Sequence, residues 1–78
     1  IMIKVIIKTT SVRREITANL SDTPRSLFDE QGIDIESGII NLDGAPLSFV
    51  ELNKPLGELG IAEGAICSLN CIVKAYGG

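Results

Sequence analysis

The chain contains no histidine and no tryptophan, and it has only two cysteines among 78 residues. Without histidine it lacks the usual general base at neutral pH and the commonest metal ligand. Two cysteines with no Cys-x-x-Cys or zinc spacing do not make a structural metal site by themselves. No metal and no cofactor are expected, and the chain reads as a non-enzyme. No apolar run approaches the length of a membrane span, and the start carries no signal-peptide pattern, so no membrane partner is expected. The net charge is −3, and the basic residues do not cluster with aromatics, which argues against a nucleic-acid partner.

Aromatic residues are also scarce: Phe28, Phe49 and Tyr76 complete the set. A core must therefore be built from Ile, Leu and Val, and a hydrophobic content of 45% is enough for one. At this length one domain spanning 1–78 is expected, near the size at which a single core just suffices. Cys67 and Cys71 lie on an apolar stretch, 66–73, that reads as the last strand. At about 3.3 Å per residue their Cα atoms stand roughly 13 Å apart, too far for a mutual disulfide. Both share a face with Leu69 and read as small buried hydrophobes. Two buried free thiols suit a reducing compartment, so a cytoplasmic location is expected.

Period-two alternation marks the first two strands: Ile3, Val5 and Ile7 against Lys4, Ile6 and Lys8, then Ile16, Ala18 and Leu20 against Glu15, Thr17 and Asn19. The segment between them has no Gly, Asn or Asp, so a four-residue loop at 10–13 is expected rather than a tight primed turn. That loop pairs Ile7 with Ile16, Val5 with Ala18 and Ile3 with Leu20, and sets Lys8 opposite Glu15. Arg13 and Arg14 then read as a solvated loop pair. Ser21-Asp22-Thr23-Pro24 is a helix start, with a capping side chain before a proline at the first helical position. Glu30 lies too far along for a capping box with Thr23. The short helix offers Leu27 and Phe28 to the core, and Gly32 ends it.

Ile33 and Ile35 follow as an extended connector, then 39–42 as a short strand and Asp43-Gly44 as a turn. Residues 45–49 read as a minor edge segment, where Pro46 is tolerable and blunts pairing with other chains. Residues 53–61 read as a turn plus one short helical turn, with Leu56, Leu59 and Ile61 pointing inward. The expected fold class is α+β, a mixed four- to five-stranded sheet gripping one helix in ββαββ order.

These residues resemble the ubiquitin-like β-grasp family over nearly the whole chain. The matches are Ser21-Asp22-Thr23 before the helix, Gly32-Ile33 after it, Leu42-Asp43-Gly44 with Leu47, Leu56 with Ile61, and the Gly77-Gly78 end. The bacterial sulfur-carrier branch of the same fold is similar in ending on Gly-Gly after its last strand. The chain departs from ubiquitin itself. Asn41 and Asn70 stand where ubiquitin's recognition patch has apolar strand residues, and Ala45 and Glu63 stand where it has its main chain-forming lysines. The tail at 74–78 has one basic residue where ubiquitin's has two.

The resemblance implies that Gly78 carries a reactive carboxyl, with Gly77 giving clearance because glycine has no side chain. A partner adenylating enzyme would activate that carboxylate with ATP, and the chain would serve as carrier or modifier, with Lys74 and Tyr76 as contacts. The alternative is a non-covalent docking module. In the family's strand order the last strand lies between the first and third. That places Lys4, Ile6, Lys8, Asn41, Asn70 and Ile72, with Ile66, Ser68 and Lys74, on one exposed face. Three isoleucines ringed by Lys and Asn then form a candidate protein-docking patch.

Overall fold

The computed structural model describes residues 2–36 and 38–73. Five strands, β1 (Met2–Lys8), β2 (Arg13–Asn19), β3 (Gly38–Leu42), β4 (Ala45–Pro46) and β5 (Ile66–Val73), form one sheet in the order β2-β1-β5-β3-β4. β1 and β5 run parallel at its centre, and the other neighbours are antiparallel. One helix, α1 (Pro24–Glu30), packs on one side, and a 3₁₀ turn covers Glu51–Asn53. The mixed sheet of five strands on one helix is the architecture the alternation and turn signals imply.

Alternation explains the layering. Ile3, Val5 and Ile7 of β1 and Cys67, Leu69 and Cys71 of β5 are buried, and they meet Leu27 and Phe28 of α1. Ile40 and Leu42 of β3 and Ile35 of the connector close the same core, with Leu52 and Leu56 from the long loop. Leu59 and Ile61 pack against it while partly exposed. The loop is tied down by backbone bonds, Leu56 N–H to Asp22 C=O at 2.9 Å and Gly57 N–H to Leu20 C=O at 3.0 Å.

The β1–β2 register differs from expectation by two residues. Val5 faces Ile16, Ile3 faces Ala18, and Ile7 faces Arg14. The loop still holds four residues, 9–12, but starts one residue earlier. Thr9 is the cause. Its hydroxyl accepts the Ser11 and Val12 N–H groups at 3.2 and 3.0 Å, and its own N–H donates to the Val12 carbonyl at 2.8 Å. A shift by an even number keeps every side chain on its face. The cross-strand pairs do change: Lys8 lies opposite Arg13, not Glu15, and Glu15 lies opposite Ile6. Arg13 and Arg14 are strand residues rather than loop residues, and the Arg14 guanidinium reaches the Gln31 side chain at 3.1 Å.

Thr23 caps α1 as expected, but the capping box closes through Ser26 in place of an acidic residue. Ser26 N–H donates to the Thr23 hydroxyl and Thr23 N–H to the Ser26 hydroxyl, both at 3.1 Å. The serine hydroxyl does the work usually given to Glu, holding one otherwise orphaned donor. Ser48 and Glu51 make a similar reciprocal pair around the 3₁₀ turn, so accepting the Ser48 amide holds the Glu51 carboxyl below its usual range. This 3₁₀ turn at Glu51–Asn53 precedes the helical turn expected within 53–61, where the Glu58 and Leu59 N–H groups both donate to the Pro55 carbonyl at 2.9 and 3.2 Å. Asp43 and Gly44 both take positive φ, +50° and +85°, as a two-residue primed turn between β3 and β4 demands.

Candidate partner-docking face

One side of the sheet is covered by α1 and the loops; among the described residues nothing covers the other, open side. Because side chains alternate along each strand, the open side carries Met2, Lys4, Ile6 and Lys8 from β1 and Ile66, Ser68, Asn70 and Ile72 from β5. Ile39 and Asn41 come from β3, and Arg13, Glu15 and Thr17 from β2. The expected residues Lys4, Ile6, Lys8, Asn41, Asn70 and Ile72 therefore share one face. Lys74, Tyr76, Gly77 and Gly78 lie outside the described residues.

The pairing decides which of them are neighbours. Lys4 lies opposite Ile66, Ile6 opposite Ser68, and Lys8 opposite Asn70, which in turn faces Asn41. A polar row, Arg13–Lys8–Asn70–Asn41, runs from the hairpin end of β2 and β1 across the middle of β5 to β3. Ile66 and Ile72 stand at opposite ends of β5, six residues or about 20 Å apart. The three isoleucines of the expected patch are thus divided rather than gathered. Each end instead recruits a residue that the sequence reading left out. Met2, 55% exposed, lies diagonally from Ile66, 64% exposed, two residues along β1 from Ile66's partner Lys4; Ile39, 43% exposed, faces Ile72, 42% exposed. Strand alternation marks Met2 as outward, and the β3–β5 register that adds Ile39 depends on tertiary pairing.

Asp43 closes the edge of this face. Its N–H donates to the Ser68 carbonyl at 2.9 Å and its Oδ1 accepts the Ser68 N–H at 2.8 Å, so a carboxylate continues the β3–β5 ladder past Leu42. The two thiols point the other way. Burial pushes the Cys67 thiol up to about 11, with the Asp43 charge adding to it, and burial together with Asp34 raises Cys71. Neither has the electropositive exposure of a reactive cysteine.

A second feature lies off the open face. A cavity of about 240 Å³ opens between the connector, β3 and the loop after β4, lined by Ile35, Ile39, Leu47, Phe49 and Leu52 with Arg25 at its rim. Phe49 and Val50 are largely exposed there. The Arg25 guanidinium lies 5.5 Å from the Phe49 ring centre, and its Nε donates to Asn53 at 2.9 Å. Two adjacent apolar residues in a polar loop were the available sequence signal. Among the described residues there is no cluster of His, Cys, Asp and Glu able to hold a metal ion, and no helix long and apolar enough to cross a membrane.

Comparison with solved structures identifies the fold. A ubiquitin-like domain from Arabidopsis thaliana superposes with a TM-score of 0.71 at 20% identity, covering 96% of this chain and 80% of that one. Ubiquitin from Caldiarchaeum subterraneum gives 0.68 at 14% identity over 99% of both chains. The ubiquitin-like domain of Plasmodium falciparum Dsk2 gives 0.63 at 21% identity, over 91% of this chain and 99% of that one. No family model and no curated protein matches the sequence. The chain has the ubiquitin-like β-grasp fold, an architecture shared by modifiers and interaction modules.

Proposed function

We propose that this chain is a ubiquitin-like protein-interaction module that docks partners on the open face of its sheet. The observation that supports this is a set of exposed apolar residues, Met2 diagonal to Ile66 and Ile39 opposite Ile72, on a face that the described helix and loops leave uncovered. Its polar centre, the Asn41–Asn70 pair, separates it from ubiquitin's own apolar patch and points to a different set of receptors. The test is to measure binding of a partner isolated from the native host by calorimetry. Ile6→Glu and Ile72→Glu are each expected to weaken it at least tenfold while leaving the circular dichroism spectrum unchanged. Unchanged binding in both variants would refute the reading.

A second reading is favoured by Gly77-Gly78, four and five residues past the end of β5 at Val73. In it the Gly78 carboxylate attacks the α-phosphate of ATP on a partner adenylating enzyme, expelling pyrophosphate. The acyl adenylate then passes to a thiolate of the enzyme, releasing AMP, with Lys74 and Tyr76 as enzyme contacts. The intact mass of the protein from its own host tests this. A chain ending at Gly78, with a conjugated or thiocarboxylate form beside it, supports the carrier role; further residues with no processed form refute it. The two inert thiols are consistent with work in a reducing compartment such as the cytoplasm.

A further inference from the structure

We infer that the gap between β3 and the loop at 47–52 receives an extended segment of a partner protein bearing one apolar side chain and one carboxylate. The segment adds a short strand beside Gly38–Ile40, fills the cavity under Phe49, and sets its carboxylate on Arg25. The site lies at the edge of the sheet and goes beyond both readings above.

The first support is a ladder that stops early. β4 spans only Ala45–Pro46 and pairs with Leu42 and Asn41. One further bond follows, from the Leu47 N–H to the Ile40 carbonyl at 2.8 Å. The chain then leaves β3, because Ser48 and Glu51 each accept the other's amide and start the 3₁₀ turn. Along an antiparallel strand, successive residues direct their backbone groups to opposite sides. Asp43 directs its N–H to β5 and Ile40 its carbonyl to Leu47, so the Gly38 carbonyl and the Ile40 N–H also face away from β5. The Gly38 N–H turns back to the Ile35 carbonyl at 3.1 Å. Among the described residues, no hydrogen-bond partner meets the Ile40 N–H or the Gly38 carbonyl. Ile40 is itself buried, where an unpaired donor is costly. In parallel pairing, one residue bonds the neighbours of the residue it faces. A segment running parallel to β3 therefore meets both groups with the single residue opposite Ile39, as peptides do at exposed sheet edges. Leu47 bounds the gap, so the added strand is short.

The second support is the cavity beneath that edge. Side-chain alternation sends the residue opposite Gly38 toward the covered side. Gly38 has no side chain to fill that space, and the cavity of about 240 Å³ opens there with Ile35, Leu47 and Leu52 as apolar walls. Phe49 stands largely exposed at its mouth. An apolar side chain seated in the cavity covers the Phe49 ring as well.

The third support is charge. The Arg25 guanidinium is held at the rim by its Nε bond to Asn53 and by the Phe49 ring. Its terminal amino groups are left to form the fork that a carboxylate fits. Glu36, on the connector side of the same cavity, repels a second carboxylate and confines the acidic group to the Arg25 side. Other occupants fit less well. A second copy offers Phe49-Val50-Glu51, but these residues wall the same gap and Glu51 is held by Ser48, so docking them dismantles the site that receives them. The tail at 74–78 carries no acidic side chain.

The test is a ¹⁵N NMR titration of the full chain with a capped synthetic hexapeptide of valines and threonines carrying one leucine and, two residues on, one aspartate. The amides of Gly38, Ile40 and Leu47 are expected to shift. Replacing the aspartate by asparagine, or Arg25→Gln in the protein, is expected to weaken binding about tenfold, and the two changes together no further. N-methylation of the residue after the leucine removes the donor to the Gly38 carbonyl and is expected to abolish binding. Ile6→Glu, on the open face, is expected to leave the peptide's affinity unchanged. Equal binding of the asparagine or the N-methylated peptide would overturn the inference, as would no response at all. Shifts confined to Lys4, Ile6 and Asn70 would also overturn it and return the peptide to the open face. Self-association weakened by Arg25→Gln would overturn it in favour of a second copy, and peptide binding seen only with Tyr76→Ser would do so in favour of the chain's own tail.

Discussion

The two faces of one sheet follow opposite rules. On the covered face Ile3, Val5, Ile7, Cys67, Leu69 and Cys71 are each at most 2% exposed, and every one meets another apolar side chain. On the open face the alternating partners of those residues run through Lys, Ile, Ser and Asn with no apolar centre. The covered face is constrained by volume, because interiors are close-packed and one methylene is felt. The open face is free of that constraint, so its composition records something other than folding. Its like-charge pair, Lys8 with Arg13, and its exposed Met2, Ile39, Ile66 and Ile72 are where a functional signal is expected.

The largest test of that contrast is Leu69→Ala on the covered face. Leu69 is fully buried, and its loss leaves a cavity at the centre of the sheet. Urea unfolding is expected to show a loss of about 2–5 kcal/mol.

Titration of Cys67 comes next. Its folded-state value is about 11 against 9.0 for a free thiol, so the unfolded chain ionises first as pH rises. The unfolded state then binds fewer protons, and stability falls with pH. The contribution is fully present below pH 9 and is lost toward pH 11, up to about 2–3 kcal/mol. Chemical unfolding across that window should show a drop that a Cys67→Val variant lacks; equal slopes would refute it.

Gly38→Ala probes the same layer at its margin. A Cβ at Gly38 meets the Cys71 Sγ at 2.6 Å, closer than real contacts allow. The expected cost is about 1–3 kcal/mol. Adding Cys71→Ala should recover part of it, giving a non-zero coupling in a double-mutant cycle. The smallest effect belongs to the open face. Asn70→Ala, one residue from Leu69, should change stability by no more than about 0.5 kcal/mol. A larger loss there would break the division between the faces.

Much of this division was legible in the chain. Alternation along 3–7 and 66–72 assigns faces without any knowledge of neighbours, because a strand's side chains repeat every two residues. Thr23-Pro24, Gly32 and Asp43-Gly44 mark their boundaries through local backbone chemistry, and the structure places the helix and turns there. The β1–β2 register was misplaced because two loops of equal length, one residue apart, satisfy the same alternation. Thr9's hydroxyl chose between them by bonding two amides of its own loop. The Ser26 capping box was missed for a similar reason, since serine in that role is visible only once the hydroxyls are placed.

The docking face was legible as a set and not as a map. Lys4, Ile6, Lys8, Asn41, Asn70 and Ile72 share a face by parity alone. Their grouping, with Met2 diagonal to Ile66 on one side of a polar row and Ile39 opposite Ile72 on the other, follows from which strands pair and at what register. By itself the sequence determined the elements, the inward set of each strand and the mixed sheet on one helix, because these arise from periodicity and local turn chemistry. Only the tertiary structure decided that the exposed apolar residues divide between the two ends of β5, that Lys8 opposes Arg13, and that a cavity opens beside Phe49. Those are relations between residues distant in the chain, set by hydrogen-bonded strand register and by how the loops close over the core.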